Sequence, residues 1–569
     1  MAYAIVGWLL IEVTSTVFPL VQLPDWTATF VAMLILVGFP IALILSWAYE
    51  LTPDGMKKSH EVEATESITH VTGRKIDFAI IGALVLALGF VVYNYVLEGG
   101  DTVAGVLPNS VAVLPFENMS VDPEEAFYAS GIHEEILNQL VKLSALNVIA
   151  RTSMHQYANT EKSIPEIARE LNVETVMEGS VRYAGGQIRI TAQLNDGVTG
   201  AHLWSETYTR DFEDIFAIES DVAMNVANAV GAEFSLAEQE SIETRPTDSP
   251  EAYRFYLAAL GVSRNVAIQF LTRAIEADPD FALAYSLRAV LYVVNLPRNL
   301  GAPGAASRVT EQEGLARADL ARALALDPNL AQAHASNAWI DAYNWRGRAA
   351  RDNFERAYQL SPNDPTILTS YGTFSAYSGE IEKAISLHAR ALELDPNSSL
   401  YGLAHTHQLA GNNEAAAAAY REELAREAPD ARAQVNLALL EVARGNVAAS
   451  DIGLTLARED AQFVGLGIFT PQVALAYAQL GLNDEAEILL AEFDERAEQN
   501  RQSAATWVIA HLARGDAEQA LESLKRVTEK TPYEGYNLVF RIKANIFGSA
   551  ILDQPEFVAV RERLGFTDL

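Results

Sequence analysis

The chain has 569 residues, no cysteine, and 41 Lys and Arg against 74 Asp and Glu, a formal charge of −33. The missing cysteine excludes disulfides, zinc–thiolate sites and thiol nucleophiles. Most of the charge, −29, falls in residues 98–569. A body this acidic repels phosphate backbones, so nucleic acid is not an expected partner.

Three apolar runs open the chain: Ala2–Leu23, Ala28–Tyr49 and Phe78–Leu97, each of 20 or more residues. That length suffices to cross a bilayer as a helix. The first two are joined at Pro24-Asp25-Trp26 and read as a helical hairpin, with Trp26 at one interface and Trp47 and Tyr49 at the other. No basic segment precedes the first run and a second follows at once, so it is not a cleavable signal peptide. Lys57, Lys58, Arg74 and Lys75 place Glu50–Asp77 in the cytoplasm by the positive-inside rule. The third crossing would put residues 98–569 in the periplasm, as part of a multi-pass inner-membrane protein in contact with membrane lipid. Glu12 in the first run reads as a neutral carboxyl bonded to a neighbouring helix or lying near the surface, with a proton or partner site as the alternative. Gly38-Phe39-Pro40 marks a kink.

From residue 108 to 235 the pattern is that of a small α/β domain. Ser110–Phe116 and Asn147–Ala150 read as short strands, and Gly131–Leu143 as an amphipathic helix. Ser163 and Glu166, with Pro165 in the first turn, predict a capped helix over Ser163–Asn172. Three strands follow, Glu174–Tyr183, Gln187–Asn195 and Ala201–Tyr208, the first two joined by a Gly185-Gly186 hairpin. A long helix, Phe212–Phe234, closes the domain. The stretches VAVLPFENMS, DPEEAFYASGIHEEIL, NVIARTS, IARELNVETVMEGSVR and ITAQLNDGVTGAHLWSETY resemble the TolB N-terminal-like domain, related to the FlgO family. The resemblance implies a non-enzymatic periplasmic module that precedes tetratricopeptide repeats. It also implies kinship with membrane-bound signalling proteins that carry a cytoplasmic nucleotidyl cyclase or a CadC-like winged-helix domain. AYAIVGWLL and GFPIALILSWAYELTPDGMKK resemble the membrane anchor of that group. Relatives usually carry a basic segment ahead of the first span, and Met1 begins inside it.

The C-terminal half is periodic. Gly347, Gly379, Gly411, Gly445, Gly481 and Gly515 are spaced 32, 32, 34, 36 and 34 residues apart, and all but Gly347 have Ala or Ser five residues later. Pro328, Pro362, Pro396 and Pro429 keep the same beat. Ahead of successive prolines run Ala267/Leu271/Ala274, Ala316/Leu320/Ala323, Ala350/Phe354/Ala357, Ala384/His388/Ala391 and Ala520/Leu524/Val527. Small residues let helices approach, a bulky one fills the gap, and proline stops the second helix. The pattern resembles the tetratricopeptide repeat, over 250–535 with a helical cap at 536–569. It implies an all-α solenoid of stacked helix pairs. The departures are His388 at an aromatic place, a poor Ala417/Arg421/Leu424 match, a short first helix from Tyr401, and a loop expected over Leu296–Glu313.

No phosphate-binding loop and no Gly-x-Ser-x-Gly elbow occur, and His133-Glu134-Glu135 lacks the second His of a zinc helix. His405 and His407 would point apart on a helix, which argues against a metal. Glu124, Glu125, Glu134 and Glu135 read as a solvated face, and Arg151, Glu178 and Arg182 as structural ion pairs. No catalytic, metal or cofactor residue is expected. Partners are expected in the groove of the solenoid, at Gln332, Trp339, Thr366, Thr369 and Thr373.

The fold class read from the sequence is three transmembrane helices, a small α/β domain, then an all-α repeat solenoid. The function expected is a non-enzymatic, membrane-anchored scaffold or sensor that binds proteins of the cell envelope. The alternative is the sensory part of a membrane signalling protein whose output domain precedes Met1 or lies on another chain.

Overall fold

A computed structural model describes residues 49–52, 55–58, 106–294, 305–444, 469–499 and 504–530, less a few positions within them, together with 555 and 558. Two units are distinguished, 1–103 and 104–569. In the first, β1 (Tyr49–Thr52) pairs antiparallel with β2 (Gly55–Lys58), and Glu50 lies opposite Lys57.

That hairpin corrects the expected anchor. Tyr49 and the residues after it, read as the end of a span and the start of a cytoplasmic loop, form a ladder. Opposite charges facing across it favour the pairing. Among the described residues no helix is long and apolar enough to cross a membrane. The three-span fold class, the multi-pass inner-membrane placement with 98–569 in the periplasm, and the lipid partner are therefore withdrawn. The rest of the expected spans, Glu12, Gly38-Phe39-Pro40 and most of 536–569 lie outside the described residues.

The second unit opens with an α/β domain. Its sheet runs β5-β3-β6-β7-β8, from β3 (Leu107–Val113), β5 (Asn147–Val148), β6 (Val173–Ala184), β7 (Gln187–Asp196) and β8 (His202–Asp211). Short β4 (Glu117–Asn118) pairs with β6 off this path. β3 is parallel to β5 and β6, and β6, β7 and β8 form an antiparallel meander. Gly185 and Gly186 link β6 to β7 with φ of 61° and 86°, a turn that glycine makes without strain. Alternation decides the faces. Val111 and Val113 pack on α1 (Phe127–Val141) and α4 (Ile215–Val230), while Ala112 and Leu114 pack on α2 (Arg151–Met154) and α3 (Ile164–Leu171). Ser163 and Glu166 form the capping box of α3. α5 (Leu236–Glu243) then leads into the helical array.

The array is built of helix pairs: α6 (Pro250–Leu260) with α7 (Arg264–Ala277), α8 (Ala282–Val294) with α9 (Ala305–Leu326), α10 (Ala331–Tyr343) with α11 (Gly347–Leu360), and α12 (Pro365–Tyr377) with α13 (Ile381–Leu394). It continues with α14 (Tyr401–Leu409) and α15 (Asn413–Leu424), then α16 (Ala431–Ala443), and later α17 (Phe469–Gln479) with α18 (Asn483–Gln499) and α19 (Ala504–Ala513) with α20 (Ala517–Lys530). It is a tetratricopeptide-like solenoid. Gly379, Gly411, Gly481 and Gly515 sit between the two helices of their pairs with φ from 72° to 83°. The glycine beat is thus a demand for left-handed backbone at each turn. Gly347 breaks the beat because it is already the first residue of α11.

The small–bulky–small triplets from Ala267/Leu271/Ala274 through Ala384/His388/Ala391 are buried, and so are Ala520 and Leu524. Phe354 stacks on Tyr371 (centroids 5.6 Å, planes 9° apart), and Trp339 and Phe374 lie 5.5 and 5.1 Å from it. The poor match before Pro429 is a one-residue slip. Ala416, Tyr420 and Glu423 are the buried triplet, and Arg421 points outward into an ion pair with Glu441. The expected loop over Leu296–Glu313 is also corrected. From Ala305 it is the first part of α9, supported by an i,i+4 Glu313–Arg317 pair at 2.8 Å. Positions 295–304 lie outside the described residues.

Candidate partner-binding surface

First helices of successive pairs pack on each other, α8 on α10, α10 on α12, α12 on α14 and α14 on α16. Second helices pack chiefly on first helices. The outward faces of the first helices thus lie side by side along the array.

The five groove residues divide on this face. Thr366 and Thr369 are exposed on α12. Thr373 follows one turn on, half-buried, its hydroxyl donating to the Thr369 carbonyl at 2.9 Å. Gln332 is tied up: its amide donates to Asp364 at 2.6 Å. Asp364 is the N-cap of α12 and accepts from the backbone of Thr366 and Ile367. Trp339 is half-buried, stacked on Tyr343 and edge-on to Phe354, so part of its ring serves the inter-repeat core. Of the five, Thr366 and Thr369 are therefore the two with exposed side chains.

The α/β domain is clamped to the turns that join one pair to the next. Asp395 accepts from the hydroxyls of Thr152 (2.7 Å) and Ser153 (2.6 Å). Ala150 N–H donates to the Leu394 carbonyl at 2.8 Å. One turn earlier, the Asn363 amide donates to the Ser144 (2.9 Å) and Leu146 (3.0 Å) carbonyls, and Arg390 bonds both Asn147 and Asn363. Asn363 and Asp395 follow or precede Pro362 and Pro396, the prolines of the repeat. The sequence marks those turns but not what they hold.

A second junction is buried between α1, α4 and α6. Glu135 and Glu219 are 2 % and 1 % exposed. Tyr253 donates to both oxygens of Glu219 (2.8 and 2.9 Å), and Tyr256 and Asn138 donate to Glu135 (3.0 and 2.8 Å). Burial raises both carboxyls above the ordinary range. The Glu135 charge adds to the rise at Glu219, and Lys142 opposes it. α6 comes close enough that a Cβ on Gly131 would lie 3.0 Å from that of Leu257. Glu135 is thus no part of a solvated acidic face. Its neighbour Glu134 pairs with Arg151 at 2.8 Å, Glu178 accepts from Asn195 at 3.1 Å, and Arg182 is exposed, so the expected grouping of Arg151, Glu178 and Arg182 is corrected.

Among the described residues no three His, Cys, Asp or Glu side chains gather as metal ligands would. His405 is buried against Tyr401, its ring 5.6 Å away and nearly parallel, while His407 is half-exposed. His133 and His388 are buried, and burial lowers each to about 4. His133 Nε2 bonds the Val113 carbonyl at 3.0 Å. His388 Nε2 has no hydrogen-bond partner, and the ring is wedged between Gly372 and Gly402, where a Cβ would lie 3.0 and 2.7 Å from it.

No protein-family model matches the chain. A protein of Rhizobium meliloti (strain 1021) named putative adenylate cyclase 3 is 42% identical over 193 residues. The match covers 32% of this chain and 32% of that protein, so it spans about a third of the relative's length. Among solved structures the chain is similar to PilW, a type IV pilus biogenesis factor (20% identity, 37% of this chain, 94% of that one, TM-score 0.31). It is also similar to PilF of Pseudomonas aeruginosa (16% identity, 38% and 96%, TM-score 0.30) and to the P58(IPK) TPR domain (12%, 56% and 98%, TM-score 0.15). Superpositions this loose carry no argument about function.

Proposed function

We propose that the chain is a non-enzymatic protein-binding scaffold, with partners received on the first-helix face of the solenoid. The observation that carries this reading is the row Thr366, Thr369 and Thr373. It is polar, exposed at Thr366 and Thr369, and set on the first-helix face of an array whose other first-helix residues are largely spent on packing. Paired helices stacked in this way present a long surface for peptides or folded partners. The TolB N-terminal-like resemblance over 108–235 and the repeat division over 250–535 belong to the same proposal. A photo-crosslinking residue at Thr369 tests it in the native cell. Specific protein adducts that vanish when Thr366 and Thr373 are both changed to Arg support the groove. Adducts equally abundant from a crosslinker at Glu382, on the second helix, overturn it.

A second reading is favoured by the 42% match to the protein named a cyclase. In it, the chain is the sensory portion of a nucleotidyl cyclase or winged-helix type of signalling protein, with the output domain on another segment or chain. Purified chain incubated with ATP or GTP and Mg²⁺ or Mn²⁺ decides whether any turnover resides here. The scaffold reading expects no cyclic nucleotide, and turnover abolished by a chelator rejects it.

A further inference from the structure

The two edges of the α/β sheet are treated differently. At one, β5 is two residues long, and the segment around it is sealed by Asn363, Arg390 and Leu394 of the array. At the other, β8 runs for ten residues and has β7 on one side only; among the described residues no strand pairs with its outer side. Natural edge strands are usually blunted by charged side chains, lysine above all, by proline, by shortness or by a bulge. β8 reads HLWSETYTRD, with neither lysine nor proline, and its register against β7 shifts only at the Leu194/Asn195 end. Leu203, Ser205, Glu206, Thr207, Thr209 and Arg210 are exposed along it. Tyr208 alone is buried, inward against α4, with its hydroxyl bonded to Glu206 at 3.1 Å and Asn225 at 3.3 Å.

We infer that β8 is a homodimerisation edge, pairing antiparallel with β8 of a second copy about a two-fold axis at Tyr208. The charge pattern selects that occupant and that register. Glu206 and Arg210 are four residues apart on one face of the strand, and neither has an ion-pair partner among the described residues. A two-fold axis perpendicular to the sheet brings residues of the same face together, so it passes through a residue. With the axis at Tyr208, Glu206 of each copy faces Arg210 of the other. Thr207 faces Thr209 and Ser205 faces Asp211, a hydroxyl against an acceptor. An axis at Glu206 or at Arg210 would oppose like charges directly, which destabilises a ladder. Only the Tyr208 register satisfies both charges, and it does so twice. The result is one continuous sheet across both copies with no open long edge.

Sedimentation of the full chain over a concentration series tests this. The wild type should pass from 62.0 kDa to twice that mass. Glu206→Arg sets Arg against Arg and Arg210→Glu sets Glu against Glu, and each should weaken the dimer about tenfold or more. An equimolar mixture of the two variants restores both opposite-charge pairs and should recover a heterodimer. The exchanged double variant E206R/R210E should dimerise like the wild type. Near-unchanged melting of the single variants shows that the loss is of assembly. A wild type that stays monomeric up to about 100 µM, a concentration at which even modest association shows, overturns the inference. So does a mixture that fails to associate, or single variants that dimerise as well as the wild type.

Discussion

The α/β domain and the helical array bury their interiors by different means. The array repeats one local solution, in which Ala, a bulky residue and Ala on a second helix meet the first helices on either side, as Phe354 meets Trp339, Tyr371 and Phe374. The α/β domain assembles its core from segments far apart in the chain and also buries charge, as at Glu135 and Glu219. A periodic solution tolerates local error, because each repeat touches only its neighbours. The non-local one concentrates risk in single residues, since an unpaired buried polar group costs more than its pairing contributes. The slipped repeat at α15 shows the mixture: Glu423 sits at a place meant for a small residue. It is rescued by Ser399 (3.1 Å) and by backbone N–H groups of Leu400 and Asp430 (2.8 Å each).

The sharpest test of the periodic half is Phe354→Ala. It removes a fully buried ring touching three aromatics and should cost about 3–5 kcal/mol. Denaturant melts should show a lower midpoint; a loss below about 1 kcal/mol would mean that the neighbouring repeats repack freely around the gap. Next comes pH. His133 and His388 are lowered from 6.5 to about 4, so the unfolded chain binds more protons between these values and stability rises with pH across that window. Each contributes up to about 3 kcal/mol, as an order of magnitude. His388→Phe should flatten the acid limb of a stability–pH curve; an unchanged limb would show that His388 titrates normally. Glu135 and Glu219 act oppositely. Their carboxyls are raised above 4.5, so the stability tied to their protonated form is lost as pH rises through the folded-state values. Glu219→Gln should therefore help most at alkaline pH.

Smaller effects compare the two kinds of junction. Glu423→Ala leaves two backbone N–H groups unpaired and should cost about 2 kcal/mol. Replacement by Gln, which keeps an acceptor, should recover part of that. Asp395→Ala should cost about 1–2 kcal/mol and raise hydrogen exchange around Ala150–Ser153, with the array unaffected. Exchange that rises equally throughout α12 and α13 would show that the clamp also braces the solenoid. Thr369→Arg is the smallest for stability, within about 0.5 kcal/mol, because the site is exposed. A large drop in melting temperature would place Thr369 in the packing instead of at the partner face.

Residue order alone determined the repeat, its glycine turns, the capped helix α3 and the Gly185-Gly186 hairpin. Each rests on contacts between near neighbours, where spacing along the chain is spacing in space. The exposure of Thr366 and Thr369 on α12 was legible in the sequence. The contacts that Gln332 makes with Asp364 and Trp339 with Phe354 were not, because which neighbour such a side chain meets depends on a few tens of degrees of helix phase. The membrane anchor is corrected because among the described residues no helix is long and apolar enough to cross a membrane, and Tyr49, expected to end the second span, pairs in a β-hairpin that composition does not report. Only the tertiary structure decided that Asp395 and Asn363 hold the α/β domain, that Glu135 is buried, and that no described strand pairs with the outer side of β8. Those outcomes join residues up to 243 positions apart, and the energy of such contacts exists only once the chain has closed on itself.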